Sequence, residues 1–418
     1  MKRALTGIVP ALLLMSTLTL ALNIQPIRAS GTIYIRVTGE VEGTDKIERD
    51  GDLYTFTDNI YDSIVVERNN IVVDGAGYTL QGTGSGDGIY LSGRSNVTIE
   101  KMNIRSFYSS VRFNFTSYSV IRRSNITNNE FGPQLHYSSN NSISENSITT
   151  NTRDGIFFWS DCSKNSILRN NVSTNNEVGI FFGECSNFNN ISENIIASNN
   201  QHGIMLQDSS FNTVSGNNIT ANMFDGVYLT GWFATSSSFN NVSGNRITSN
   251  FVGIELNQQG TSNNRILENN ITANTRGIYL FLASDNIIYH NNFVNNTEQV
   301  HVIAGYSYLN DWDDGCEGNY WSDYNRTESG NDGIGDTPNI IDENNKDNYP
   351  LMNPYWNPGD VDHDLDVDLY DAVRLLAAYG FKLGAEGYNC HCDIIEPYGQ
   401  IDLYDAILLL INYGKKYN

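Results

Sequence analysis

Basic charge is scarce in this chain. Its 418 residues carry 25 lysines and arginines against 47 aspartates and glutamates, a net charge of −22. Such a surface repels nucleic acid and anionic lipid and draws cations such as calcium, so nucleic-acid binding is disfavoured. A second long apolar run is also missing. After the segment from Ile8 to Leu22, no stretch approaches the roughly 18 consecutive apolar residues of a membrane span. That first run follows Lys2 and Arg3 and leads into a polar stretch ending at Ala29. This is the layout of a secretory signal peptide over residues 1–29, with an uncleaved amphipathic anchor as the alternative. A sustained 3.6-residue apolar period is absent from the middle of the chain, which argues against a helical solenoid.

What is present there is a repeat. Seven rungs begin at Asn141, Asn165, Asn189, Asn212, Asn240, Asn264 and Asn286, spaced by 24, 24, 23, 28, 24 and 22 residues. A fixed period of this size means a stacked architecture. Apolar residues stand singly or on alternate positions, as strands require. Stacking the periods aligns aliphatic columns, such as Ile143, Ile167, Ile191 and Val214, or Ile156, Ile180, Ile204 and Val227. Two asparagine columns run unbroken through all seven rungs, one from Asn146 to Asn291 and one from Asn151 to Asn296. A side-chain amide donates and accepts, so it can bond the same amide one rung away at the roughly 4.8 Å strand spacing. These ladders and columns predict a right-handed parallel β-helix of three-strand coils.

On those columns the sequence resembles the pectin-lyase-like β-helix proteins, and more narrowly the archaeal surface proteins grouped with the NosD family. The pieces GNYWSDY, NDGIGDTP and NKDNYPLM, between Gly318 and Met352, resemble the end of NosD-like domains. The copper handling that this family name suggests finds little support in the sequence, since the 6 His and 6 Met are scattered with no cluster on the coils. The expected organisation is an N-terminal cap over 30–61, coils over 62–304, a C-terminal cap over 305–352 built on Trp312, Tyr320, Trp321, Tyr324 and Tyr349, a linker over 353–357, and a second domain over 358–418.

Function is sought on the outer faces of the coils. The outward column of one strand reads Tyr90, Phe157, Phe181, Met205, Tyr228, Glu255 and Tyr279, with Trp159 and Trp232 just beyond it and Phe233 in the longest insertion. Aromatic stripes stack on the apolar faces of sugar rings, so Phe157, Trp159, Phe181, Tyr228, Trp232, Phe233 and Tyr279 are candidate glycan-binding residues. Strand propensity alone is the competing explanation of the stripe. A column of acids, Asp161, Glu184 and Asp208, is the candidate catalytic group, through mutually raised pKa values or bound calcium, with Arg153, Lys164 and Arg169 as nearby bases. Solvated turn acids are the plainer alternative. Cys162 and Cys185 occupy nearly equivalent places on adjacent rungs and are a candidate disulfide; free stacked thiols are the alternative. Cys316 is a further candidate to pair within Cys390-His391-Cys392.

In the second domain, Asp360, Asp362, Asp364, Asp366, Asp368 and Asp371 stand at positions 1, 3, 5, 7, 9 and 12 of a loop, the ligand spacing of an EF-hand. An apolar helix follows, and DLYDAVRLLAAYG at Asp368 repeats as DLYDAILLLINYG at Asp402. The paired loop-helix resembles a type I dockerin, an EF-hand-like α-helical module. The resemblance implies calcium as cofactor and a cohesin-type domain as partner. Two departures stand out: Leu365 replaces the glycine of position 6, and in the second loop only Asp402 and Asp405 keep register, Asp393 and Glu396 falling out of it.

The expectation is a secreted or surface β-helix that binds polysaccharide and is tethered through the calcium-dependent module. A polysaccharide lyase, hydrolase or epimerase is the first alternative, marked by a carboxylate cluster beside an Arg or Lys on one outer face. A surface adhesin without glycan affinity is the second.

Overall fold

The computed structural model describes residues 31–231, 237–330, 332–395 and 399–417. The expected signal peptide, Trp232, Phe233 and Glu396 lie outside the described residues.

Three sheets of 13, 12 and 11 strands, parallel but for the antiparallel edge strands Val41–Glu42 and Ile47–Asp50, form the sides of one β-helix. Each coil contributes one strand to each sheet, and successive coils pair in register, Ile143 on Ile167 on Ile191 and Ile148 on Val172 on Ile196. The inward columns are fully buried, because strand alternation puts every second side chain inside. The region 31–61 is woven into the helix as well as capping it. Strand Thr32–Ile35 joins the 13-stranded sheet and Leu53–Phe56 the 12-stranded one.

Three asparagine ladders run through the structure. The third rises from the rung-initial residues, Asn141 to Asn165 to Asn189 and on to Asn310. In each ladder the side-chain amide donates to the carbonyl oxygen of the next amide, as Asn194 does to Asn217 at 3.0 Å, and also to a buried backbone carbonyl, as Asn217 does to Ile191 at 2.9 Å. Buried polar groups at the coil corners are thereby satisfied. Two ladders end on cap residues, Asn319 handing on to Asp347 and Asn310 to Asn345, and the third ends on the last coil strand, Asn296 bonding Gln299. A glycine precedes the inward residue of the long sheet on most coils for a related reason, Ser110 before Val111 being an exception. A Cβ on Gly155, Gly179, Gly203, Gly226 or Gly253 would lie 2.5–2.7 Å from the next rung's carbonyl oxygen.

Trp312 and Trp321 are buried in the C-terminal cap, where Trp321 stacks on Phe293 at 4.3 Å. Residues 353–357, expected to be a linker, are bonded to the coils: Asn292 exchanges two hydrogen bonds with the Tyr355 backbone, and Tyr355 stacks on His290 at 4.1 Å. The C-terminal module has two helices, α1 (Leu369–Ala378) and α2 (Leu403–Asn412), each with a capping box, Asp368 with Asp371 and Asp402 with Asp405. Its small core includes Val361, Val367, Leu375, Ile401 and Leu409.

The Cys162–Cys185 bond expected from the sequence does not form. Register pairs Trp159 with Gly183, so Cys185 lies opposite Asp161 and faces outward, while Cys162 points into the core. A one-residue offset on a strand reverses the side chain's direction. The disulfide present joins Cys316 to Cys390 and so ties the cap to the module. Among the described residues, no helix is long and apolar enough to cross a membrane.

Candidate functional site

The outer face of the 13-stranded sheet carries the densest functional chemistry. Register stacks Gln134, Phe157, Phe181, Met205, Tyr228, Glu255, Tyr279 and His301 in one column. Phe157 and Phe181 stack at 5.1 Å, and Trp159 lies flat beside both at 5.8 and 5.9 Å. Stacking hides Phe181, which keeps only 8% of its surface. Trp159 instead lines an open depression of about 720 Å³ with Tyr137, Ser160, Asp161, Glu184, Cys185, Gln207 and Asp208. Tyr137 also lines the neighbouring hollow of about 350 Å³, with Asp87, Tyr90, Arg112, Asn114 and His136. The two form one groove across the face.

Asp161, Glu184 and Asp208 are thus brought to one wall of that groove. Each sits at a left-handed turn position, with φ between 48° and 52°, and Glu184 accepts from the Ser160 hydroxyl at 2.7 Å. Two of their three expected basic partners are engaged elsewhere, Arg153 with Glu177 at 3.3 Å and Arg169 with Glu193 at 2.7 Å.

A different constellation, three rungs along, combines acids, a base and a cation. Glu255 lies between Tyr228 and Tyr279 in the column. Burial, then the negative charge of Asp225, pushes its carboxyl up to about 7, although Asn257 donates to it at 2.6 Å. His202 Nδ1 is 2.7 Å from Asp225 Oδ2, and its ring stacks on Tyr228 at 4.7 Å. The Arg276 guanidinium lies over the Tyr279 ring at 5.4 Å and pairs with Glu298 at 3.4 Å. A carboxylic acid titrating near neutrality, flanked by phenols and a histidine–aspartate pair, is equipped for proton transfer. Glu255 is the one acid in its aromatic column, which is the signal available in the sequence. Its partners come from three separate rungs.

In the C-terminal module, carboxylate oxygens of Asp360, Asp362 and Asp371 lie within 4.8 Å of one another. Burial raises the pKa of all three, that of Asp360 to about 6. Asp362 and Asp366 each keep one buried oxygen with no hydrogen-bond partner. These oxygen-only donors and orphaned atoms fit a hard cation such as calcium. Asp364 and Asp368 are engaged in turning the loop and capping α1, and Asp366 pairs with Lys416. Leu365, in the glycine position, takes φ +75°.

The second loop is one residue longer than the first. Asp371 accepts from Val361 and Asp362, whereas Asp405 accepts from Ile394 and Ile395. Asp393 therefore corresponds to Asp360 but, unlike it, keeps a buried, unbonded oxygen. Ile395 stands where the first loop has Asp362, which removes a ligand from the second loop; Asp402 caps α2.

Residues 163–326 match the family model described as periplasmic copper-binding protein (NosD), and residues 50–219 match the model for the right-handed β-helix region. A probable ABC transporter binding protein NosD of Stutzerimonas stutzeri is 42% identical over 74 residues, 18% of this chain and 16% of that protein. The matched stretch is therefore about a sixth of that relative. Two crystal structures of the periplasmic alginate epimerase AlgG, a single and a double mutant, share the fold with TM-scores of 0.53 and 0.51. They are 17% and 18% identical to this chain, each covering 66% of it and 82% of the epimerase. The chain is a right-handed parallel β-helix protein, NosD-like in its central part.

Proposed function

We propose that this protein acts outside the cytoplasm and binds a polysaccharide along the outer face of its long sheet. The observation that carries this reading is the groove in which Tyr137 and Trp159 meet Asp161, Glu184 and Asp208. Aromatic faces stack on the C–H faces of sugar rings, and the acids and Gln207 accept and donate around the hydroxyls. The Cys316–Cys390 bond supports an oxidising compartment, as does the periplasmic description of the matching family. In affinity electrophoresis against a panel of neutral and uronic-acid polysaccharides, the mature chain is retarded by at least one of them. Trp159→Ala lowers that affinity about tenfold, as expected for losing one stacked ring; retardation unchanged by the substitution would sink the reading.

The constellation at Glu255 favours a second, enzymatic reading: abstraction of the proton beside the carboxylate of a uronic acid, as in an epimerase or lyase. Arg276 would neutralise the sugar carboxylate, and Glu255, Tyr228, Tyr279 and the His202–Asp225 pair would move the proton. Incubation with uronic-acid polymers in heavy water distinguishes the outcomes. Deuterium gained without chain cleavage means epimerisation, unsaturated ends mean elimination, and neither from the wild type removes this reading. With Glu255 as base, the rate rises with pH through about 7, and Glu255→Gln lowers it at least about 100-fold.

The C-terminal module is proposed as a calcium-dependent tether. Its helices leave repeated apolar residues exposed, Leu369 with Leu403, Tyr370 with Tyr404 and Leu376 with Leu410, a doubled face that would suit a cohesin-type partner. Calcium-dependent self-association without any glycan affinity would favour the adhesin reading instead.

A further inference from the structure

Three of the six histidines, scattered in the sequence, meet at one point where the coils, the cap and the helical module join. His290 follows the strand Ile287–Tyr289 of the last full rung, Glu317 lies in the cap, His363 in the first aspartate loop, and His391 in the short turn Cys390–Cys392. Glu317, itself 7% exposed, is their common neighbour. Its Oε1 lies 2.7 Å from His391 Nδ1 and 3.2 Å from His363 Nε2, and its Oε2 lies 3.1 Å from His290 Nε2.

Only the His391 contact has the alignment of a hydrogen bond. The ring nitrogens of His290 and His363, on residues more than nine-tenths buried, face the carboxylate at close range yet have no hydrogen-bond partner. The enclosed space between these groups is about 20 Å³, room for one ion or one water. Other features hold the ligands in place. The disulfide joins Cys316 and Cys390, the immediate neighbours of Glu317 and His391. Asp314 accepts from the backbone of Cys316 and Glu317, and Tyr355 stacks on His290.

We propose that His363, His391 and Glu317, whose ligand atoms lie within 4.8 Å of one another, bind one divalent transition-metal ion of the zinc kind at this seam, with His290 on the carboxylate's other oxygen. Two imidazoles and a carboxylate, with a solvent ligand to complete a tetrahedron, are a borderline-soft donor set suited to zinc and unsuited to calcium. Such an ion accounts for the unaligned ring nitrogen of His363, and it locks the module onto the cap through ligands other than the loop's aspartates. Two of the three ligands, His363 and His391, lie outside the segment 163–326 that matches the NosD model, so the site does not follow from that likeness.

The test uses the full mature chain with its disulfide intact, Cys185 alkylated, and calcium in excess to occupy the aspartate loop. After chelation and dialysis against zinc, elemental analysis is expected to give one zinc per chain, held with sub-micromolar affinity in competition with a chromophoric chelator. Cobalt in its place should give the intense visible bands of a four-coordinate site. His363→Ala and His391→Ala each weaken zinc at least about 100-fold, while Glu145→Gln, on the exposed face of the coils, leaves it unchanged. A wild-type chain that takes up no stoichiometric zinc overturns the proposal without reference to any variant. So do octahedral cobalt bands, or zinc retained equally by both histidine variants.

Discussion

Midway along the coils, the buried amide of Asn217 donates to Asn245 and to the Ile191 carbonyl, and its oxygen accepts twice from Asn194. At the far end of the molecule, Asp362 and Asp366 keep buried oxygens, and His290 and His363 keep buried nitrogens, that no group of the chain hydrogen-bonds. Both regions bury polar side chains, with opposite outcomes. The asparagine ladders satisfy theirs from within, by repetition, and need nothing further. The C-terminal end leaves its own incomplete in the manner of a site that expects an ion. On the coils the unbonded buried atoms lie off the ladders, as at His136 and His202 beside the outer face of the long sheet.

The sharpest way to break this contrast is to create an unmet group inside a ladder. Asn217→Ala removes the acceptor of two Asn194 N–H groups and the donor to Ile191, and should lower unfolding free energy by about 3–5 kcal/mol. The exposed Asn190, on the same coils, should change stability by less than about 0.5 kcal/mol when replaced by alanine. Denaturant titration of both variants measures the difference; equal losses would mean that the ladders are ornament.

Supplying what the C-terminal end lacks should have the next largest effect. Calcium at about 100 times its dissociation constant should stabilise the module by about 2.7 kcal/mol, seen as slower hydrogen exchange in α1 with the coils unaffected. Asp362→Asn should abolish this response. A response confined to α2 would transfer the site to the second loop.

The smallest change refines the first loop itself. Leu365 holds a left-handed backbone at φ +75°, a conformation that costs a non-glycine residue about 1–2 kcal/mol. Leu365→Gly should return about 1 kcal/mol, read as a several-fold gain in calcium affinity by calorimetry. A weaker site would show that the Leu365 side chain contributes packing that outweighs the strain.

The coils were legible because their contacts recur at the repeat period, so numbering alone aligns Asn146 with Asn170 and Ile156 with Ile180. The third asparagine ladder was visible in the same way, in residues that merely seemed to mark the start of each rung. The constellation at Glu255 was half visible, as one acid in an aromatic column. Its role depends on His202 and Asp225, which reach it only after register and burial are fixed. The seam was not legible. His290 and His391 are 101 residues apart by their numbering, in elements with no shared period, and only the packing of the module on the cap unites them. Asp393 falls out of register in the sequence because the second loop carries one extra residue, which the hydrogen bonds of Asp405 locate.

The Cys316–Cys390 bond closes 74 residues of sequence into a ring, and this fixes how the molecule transmits load. A pull on α1 or α2 reaches the last coil through a covalent bond rooted in the cap, and residues 353–357 are never the weak link. From Cys316 the load passes back along the chain to Asp311 and Asn310, which bond Asn286 of the last rung, so rupture begins by stripping that rung, while Asn319 and Asp347 stay sheltered inside the ring. Reduction of that one bond would shift the breaking point to the residues between cap and module, converting a rigid fitting into a slack one without unfolding either part.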